Sequence, residues 1–407
     1  VSADQTRKRR SWLDGFMAHA LPPGIGERQL REHIIELDQR LYPLWNLGEN
    51  LVLAWMPTRH GLRLLLAAPT RLTEFSQSGG DAVEAARRLR LLDQLLATQA
   101  HLEAPEFEQV AAELQLEPRL LALPFAAETG LGLELTAAII ARYGIRLVED
   151  RAVILFDAVG FALLSPLQQV VQLNSLSCSF NAAYAKLLDR EIDINFARTT
   201  TGDGFYVWNR MRGIEANVEL YQLMQFILAD NALARERARQ PDAVPLLRAC
   251  FHVGSHYEFY QSEGLNPTSF SYLVGPVTIE LARMIERALP GQILVGKFST
   301  LMRDEASGAV QRIASLDFVD RARRPLHALD GLLLAGAAID QIACYLTGRP
   351  GDGGAAFGVS EFEIADKHGL PHRVYNAKIN IHRRDGEPIY LGLREDDLAD
   401  FAARRIA

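Results

Sequence analysis

The chain reads as an α/β (α+β) protein: an antiparallel-rich sheet with helices on one face, behind a mainly helical N-terminal part. Three observations carry this. Residues 152–156 are small and branched apolar residues stopped by Asp157 and Gly160, the pattern of a buried strand ending at a turn. Residues 194–201 and 205–209 flank Gly202-Asp203-Gly204, the pattern of a β-hairpin with a carboxylate at its tip. Between them, residues 166–188 carry Leu167, Val170, Val171, Leu173, Leu176, Phe180, Tyr184, Leu187 and Leu188 near a 3.6 period, with Pro166 where its missing N–H costs nothing. A second long helix is expected over 216–239, leading to a strand at Arg248.

Asp157 and Asp203 thus each stand where an apolar run breaks at glycine. An Asp beside a Gly is more often a turn former than a ligand. The pair, joined by one amphipathic helix, points further. Two oxygen ligands on rigid strand ends suit Mg²⁺ when substrate phosphates supply the remaining ligands, which suggests phosphoryl chemistry on a nucleotide.

Several segments resemble one family in the right order, from about Ile145 to Leu393. Phe156-Asp157-Ala158-Val159-Gly160-Phe161 resembles the Asp-Ile-Val-Gly-Phe signature of class III adenylate and guanylate cyclases. Thr200-Thr201-Gly202-Asp203-Gly204-Phe205-Tyr206 resembles their Thr-Ile-Gly-Asp-Gly-Tyr segment. Residues 248–254 are similar to Arg-Ile-Gly-Ile-His-Thr-Gly, 271–283 to the dimer arm and the helix bearing an Asn and an Arg, 290–295 to the strand that follows, and 362–393 to the closing hairpin. The resemblance implies a ferredoxin-like βαββαβ cyclase homology domain. It divides the chain into an N-terminal domain at 1–144, a catalytic domain at 145–395 with an insertion at about 298–358, and a C-terminal helix or tail at 396–407.

It also implies roles. Asp157 and Asp203 match the carboxylates that hold two Mg²⁺ or Mn²⁺ ions per active site. Arg283 matches the arginine that stabilises charge on the α-phosphate, a task suited to a planar, permanently charged donor. Ala158, Val159, Gly160 and Phe161 resemble the triphosphate-binding loop at a helix N-terminus. Thr199 and Tyr272 fall at the base-reading positions, where the family has a Lys and an Asp or Thr. Ile279 replaces the ribose-orienting Asn, and Gly275-Pro276 replaces Gly-Asp. Arg198 substitutes for the missing Lys only if a bulge turns it, since adjacent strand residues point to opposite faces.

Two readings follow. The chain is a divergent cyclase that converts a nucleoside triphosphate to a 3′,5′-cyclic nucleotide and pyrophosphate, or a catalytically impaired cyclase-like nucleotide-binding or regulatory module. Retention of both aspartates and Arg283 favours the enzyme; loss of the Asn favours the module. With one copy of each element, the resemblance implies a head-to-tail homodimer with composite sites.

Composition sets bounds. The 407 residues allow two or three domains, and a net charge of −7 argues against a general nucleic-acid binder. Cys178, Cys250 and Cys344 show no metal spacing; Cys178 and Cys250 fall on apolar faces and are expected as buried free thiols of a reducing, cytoplasmic setting. The basic cluster at 7–10 reads as a solvated tail, and no transmembrane segment or signal peptide is expected.

In the N-terminal part, helices are expected over 26–41, 81–102 (with Asp81 as N-cap), 106–116 and 133–143, and a hairpin over 51–67, where Leu and Ala also permit helix. Within the insertion, 326–346 reads as a helix exposing Asp330, Asp340 and Gln341, followed by a Gly-rich link at 348–354. His252 and His256 lie four apart, as do His368 and His372. The first pair reads as structural and the second as turn residues, rather than zinc ligands.

Overall fold

The computed structural model describes residues 21–77, 81–97, 100–211, 213–262, 269–303, 307–347, 358–366, 369–394, 396–398 and 401. The basic cluster at 7–10, the link at 348–354, His368 and most of the expected C-terminal tail lie outside them. The chain divides into two units, Val1–Glu149 with Tyr257–Val274, and Asp150–His256 with Gly275–Ala407.

In the first unit, helix α1 (Glu27–Trp45) buries Leu30, Ile34, Leu37 and Leu41, whose spacing of three to four places them on one face. Strands β1 (Leu51–Thr58) and β2 (Gly61–Ala67) form the expected antiparallel hairpin. Helices α2 (Pro69–Gln77), α3 (Ala82–Ala97) and α4 (Ala104–Glu113) follow, and β3 (Arg119–Ala122) pairs with β2. Helices α5 (Ala127–Gly130) and α6 (Leu133–Ile140) complete this part. Asp81 caps α3 by accepting the Glu84 amide at 2.8 Å. Two small cores result, one around Trp55, Leu62 and Ile139, the other around Leu53, Leu65 and Phe107.

The second unit holds a βαββαβ series: β4 (Ile145–Ala158), α7 (Pro166–Leu188), β5 (Phe196–Thr200), β6 (Gly204–Asn209), α8 (Ile214–Arg237) and β7 (Leu247–Ser262). The first residues of β4 and the last of β7 belong to the first unit. These strands lie in the order β7-β4-β6-β5. β4 and β5 both run antiparallel to β6. The chain continues through β8 (Ser269–Val274), antiparallel to the end of β7, then α9 (Pro276–Arg287) and β9 (Ile293–Gly296), parallel to β7. A hairpin of β10 (Ser299–Arg303) and β11 (Val310–Ala314) precedes α10 (Ser315–Ala322). Strands β12 (Leu332–Leu334), β13 (Ala337–Thr347), β14 (Glu361–Ala365), β15 (Pro371–Arg383) and β16 (Ile389–Leu391) extend the sheet as β9-β15-β13-β12, with β14 and β16 both on β15.

α8 is buried on nearly all sides, including Gln222, Gln225, Asp230 and Asn231, and its Leu220, Met224 and Phe226 join one core with Phe156 of β4 and Phe180 of α7. Burying each of these five apolar side chains contributes about 1.5–3 kcal/mol.

Three expectations are corrected. The helix expected over 326–346 is a 3-10 turn (Arg324–His327) followed by the β12–β13 hairpin. Its turn is Ala335-Gly336 with φ of 42° and 77°, the left-handed pair that a two-residue hairpin requires, and β13 becomes an interior strand. Cys178 is exposed, on the outer side of α7, whereas Cys250 and Cys344 are buried; all three are free thiols. The first turns of α7 are also exposed at Leu167, Val170 and Val171, so only the stretch from Gln172 onward packs on the core. Among the described residues, no helix is long and apolar enough to cross a membrane.

Candidate active site

The hairpin that carries Asp203 is shaped by its two glycines. Gly202 has φ +105°, a conformation that L side chains rarely adopt. Gly204 sits opposite Asp157 in the β4–β6 ladder, and a Cβ there would lie 1.9 Å from the Phe156 carbonyl oxygen. Only glycine permits that approach. The result brings the two aspartates together: the Ala158 amide donates to the Asp203 carbonyl at 3.0 Å, which locks the end of β4 to the turn.

Asp157 is buried, and its carboxylate does not stand alone. Arg248 at the start of β7 donates to Asp157 Oδ2 from Nε at 2.8 Å and also from Nη2, while its Nη1 donates to the Ala288 carbonyl at 3.2 Å. Burial pushes the Asp157 pKa above the ordinary range; Arg248 pulls it down and the neighbouring Asp203 carboxylate pushes it up. Two carboxylates close enough to oppose each other's ionisation, answered by a guanidinium, form a donor set that suits a hard divalent cation. Among the described residues, no group of three or more His, Cys, Asp and Glu side chains is placed to hold a metal. A metal here would therefore draw its remaining ligands from water or substrate oxygens.

The loop after Asp157 is partly committed. The Val159 amide donates to Leu246 O at 2.8 Å, whereas the Gly160 and Phe161 amides make no hydrogen bond among the described residues. Gly160 adopts φ +72° and turns the chain into a 3-10 turn at Phe161–Leu163. Ser165 and Gln168 form a capping box at the N-terminus of α7, so that end satisfies part of its own amide set.

Register decides which face each remaining candidate occupies. The β5–β6 pairing runs without a bulge and sets Thr199 opposite Tyr206. Tyr206 donates to the Thr278 carbonyl in α9 at 3.2 Å, so Thr199 lies on the α9 side of the sheet and is exposed. Arg198 faces the other way. Its guanidinium lies over the rings of Phe180 and Phe205, at 5.2 and 5.1 Å, and donates to Ser177 of α7 at 3.3 Å. Tyr272 belongs to the other unit, on the β7–β8 arm, half-exposed and stacked on Phe259 at 5.2 Å. Ile279 is 54% exposed on α9.

Arg283 makes no contact with Asp157 or Asp203 among the described residues. Its Nε faces Asp366 Oδ2 at 3.5 Å, and its Nη1 donates to Glu286 at 3.2 Å. A cavity of about 290 Å³ lies between Arg248 and the end of α9, lined also by Glu286, Arg287, Glu363 and Phe401. Phe401 packs edge-on against Phe362. A second cavity of about 260 Å³ in the first unit is lined by Arg71, Arg88, Glu74 and Glu113, whose charges cancel.

His372 is corrected from turn to strand: it is the second residue of β15, opposite Ile364, and is buried. His252 is buried against the backbone of Gly296, and burial with the nearby His372 lowers its pKa to about 4. Arg248 and Asp366 are the residues that sequence reasoning missed. Arg248 had a signal in its motif, but Asp366, 83 residues after Arg283, had none.

No family model matches the chain, and no curated protein matches it. Solved structures similar to it are cyclase domains. The catalytic core of a rhodopsin-guanylyl cyclase with converted specificity, in complex with ATPalphaS, is 14% identical over 42% of this chain and 96% of that one, with a TM-score of 0.30. The guanylyl cyclase Cya2 is 12% identical, covering 57% of this chain and 92% of its own, at 0.32. The adenylyl cyclase CyaB from P. aeruginosa is 11% identical, covering 60% and 97%, at 0.31. These superpositions are too loose to bear on chemistry.

Proposed function

We propose that the protein is a divergent nucleotide cyclase of the class III type. The observation that supports this best is the Asp157–Asp203 pair, brought together by a hairpin that only glycine allows and balanced by Arg248. The substrate is a nucleoside triphosphate. Its 3′-oxygen forms a bond to the α-phosphorus, the bond to pyrophosphate breaks, and the hydroxyl proton leaves to solvent.

In this reading Asp157 and Asp203 hold two divalent ions, Mg²⁺ or Mn²⁺. When bound, these supply Lewis acidity that lowers the pKa of the 3′-hydroxyl and neutralises the triphosphate. The free amides of Gly160 and Phe161, with Ala158 and Val159, border the phosphates, and Arg283 meets the charge that develops at the α-phosphate. Thr199 and Tyr272 border the base. Because hydroxyl groups both donate and accept, selectivity between purines is weak, within about 1–3 kcal/mol. A head-to-tail homodimer completes each site, residues 145–395 form the catalytic part, and residues 1–144 serve as an input or docking domain for an upstream regulator. The setting is the cytoplasm, where nucleoside triphosphates abound.

One observation favours the second reading, a nucleotide-binding module without turnover: Ile279 stands exposed where the resemblance implies an Asn that orients ribose. A panel of ATP, GTP, CTP and UTP with Mn²⁺, read for cyclic product, decides between them. We expect turnover that falls at least about 10³-fold in Asp157→Asn and in Asp203→Asn, with metal-dependent triphosphate affinity reduced in both. Binding without product from any nucleotide establishes the module instead; variants that bind and turn over like the wild type rule out the carboxylate assignment.

A further inference from the structure

We infer that Asp366, held by the turn between β14 and β15, is the positioning residue for Arg283, an inference that rests on the cyclase reading above. Three side chains spaced along one face of α9 reach this turn. Glu280 bonds His372 Nδ1 at 2.8 Å, Arg283 faces Asp366 at 3.5 Å, and Arg287 donates from Nε to the Ala365 carbonyl at 2.9 Å. Positions 280, 283 and 287 share a helix face by their spacing.

The two acids on Arg283 differ in kind. The Asp366 side chain is only 4% exposed, whereas that of Glu286 is 52% exposed. An exposed pair three residues apart on a helix contributes little and yields readily to a phosphate. A buried carboxylate with fixed partners does not yield. Asp366 Oδ1 accepts the Leu370 amide at 2.9 Å, its backbone amide donates to Leu370 O at 3.0 Å, and its carbonyl accepts the Gly369 amide at 3.0 Å. On its other oxygen, His372 Nε2 stands at 3.7 Å, and His372 is tied back to α9 through Glu280.

This arrangement sets a buried counter-charge 3.5 Å from the inner Nε of Arg283, an ion pair without a hydrogen bond among the described residues, and leaves the Nη1 amine toward the displaceable Glu286. A buried counter-charge on the inner edge biases the planar fork toward one orientation, which lowers the reorganisation needed to meet a phosphate oxygen. Asp366 touches no reacting atom in this scheme and acts only through Arg283.

The test uses the full chain with Mn²⁺ and either ATP or GTP. The Arg283 Nε–H signal, assigned by its loss in Arg283→Lys, is followed for hydrogen exchange in the wild type, Asp366→Asn, Asp366→Glu and Glu286→Gln. Exchange at least about tenfold faster is expected in Asp366→Asn, with kcat lowered roughly 10- to 100-fold and KM within about twofold. Asp366→Glu should recover part of both, and Glu286→Gln should change neither. An unchanged Nε–H signal in a folded Asp366→Asn overturns the anchoring, and an unchanged or raised kcat overturns the positioning role. A wild type that turns over no triphosphate removes the cyclase reading and the positioning role together, while the exchange result still decides whether the anchor exists.

Discussion

Asp157 and Thr199 stand on the same face of one sheet in opposite circumstances. Cross-strand register places Leu155, Tyr206 and Thr199 in a row, and Asp157 lies two residues beyond Leu155. Asp157 is buried, bonded by Arg248 and opposed by Asp203. Thr199 is exposed and has no charged partner in the row. A carboxylate out of water must find its counter-charge within the chain, so its surroundings are built and visible. An exposed hydroxyl takes its partner from whatever binds. The carboxylate corner is therefore defined by this chain alone, whereas the Thr199 side offers only an exposed hydroxyl.

The largest effect that separates the two sides is steric. Gly204→Ala forces a Cβ against the Phe156 carbonyl, so the hairpin must shift, and the loss should be about 2–4 kcal/mol. Gly202→Ala, with open space but φ +105°, should lose about 1–2 kcal/mol. Denaturant unfolding of both variants checks the order; equal losses would mean that the close strand approach does not hold the corner.

Next is the response to pH. The raised Asp157 pKa means that the folded protein keeps this proton to a higher pH than the unfolded chain does. The associated stability is full below the ordinary aspartate value and is lost as pH rises through the raised one, so ionised Asp157 is a cost at neutral pH that a bound cation would relieve. Mn²⁺ affinity should fall up to about tenfold per unit as pH drops below that raised value, beginning above the ordinary aspartate range. Asp203→Asn removes one of the raising influences and should move the onset downward. Calorimetric titration at several pH values tests this, and an affinity indifferent to pH contradicts it.

The smallest effect sharpens the contrast between neighbours on β5. Arg198→Ala should cost about 0.5–1 kcal/mol through its lost contacts with Phe180 and Phe205, and leave nucleotide preference alone. Thr199→Lys, on the opposite face, should alter preference between ATP and GTP. Competition assays that show the reverse pattern would place the base on the aromatic side of the sheet.

Much of this was legible in sequence wherever local pattern and tertiary demand agree. The apolar run before Asp157, the glycine-flanked turn and the 3.6-residue period of α7 each specify one local structure. Arg198 was correctly set against its neighbour, because period two leaves no freedom without a bulge. Legibility failed where distant residues decide. The 326–346 segment carries apolar spacings that fit a helix, but the Ala335-Gly336 turn and pairing with β15 override them. Asp366 is meaningful only beside an arginine far away in the chain, and Cys178 falls on the solvent side of α7 although Leu176, Ser179 and Phe180 around it are buried.

That exposed thiol has a practical side. Cys250 and Cys344 are buried, with burial pushing the Cys250 thiol far up and the Cys344 thiol to about 11, so neither offers a thiolate at neutral pH. The sequence holds no fourth cysteine. A maleimide dye or nitroxide added to the unmodified protein will therefore mark Cys178 alone, on the exposed side of α7. One label per chain turns self-association into a single inter-label distance, measurable by energy transfer or pulsed electron resonance without a mutation.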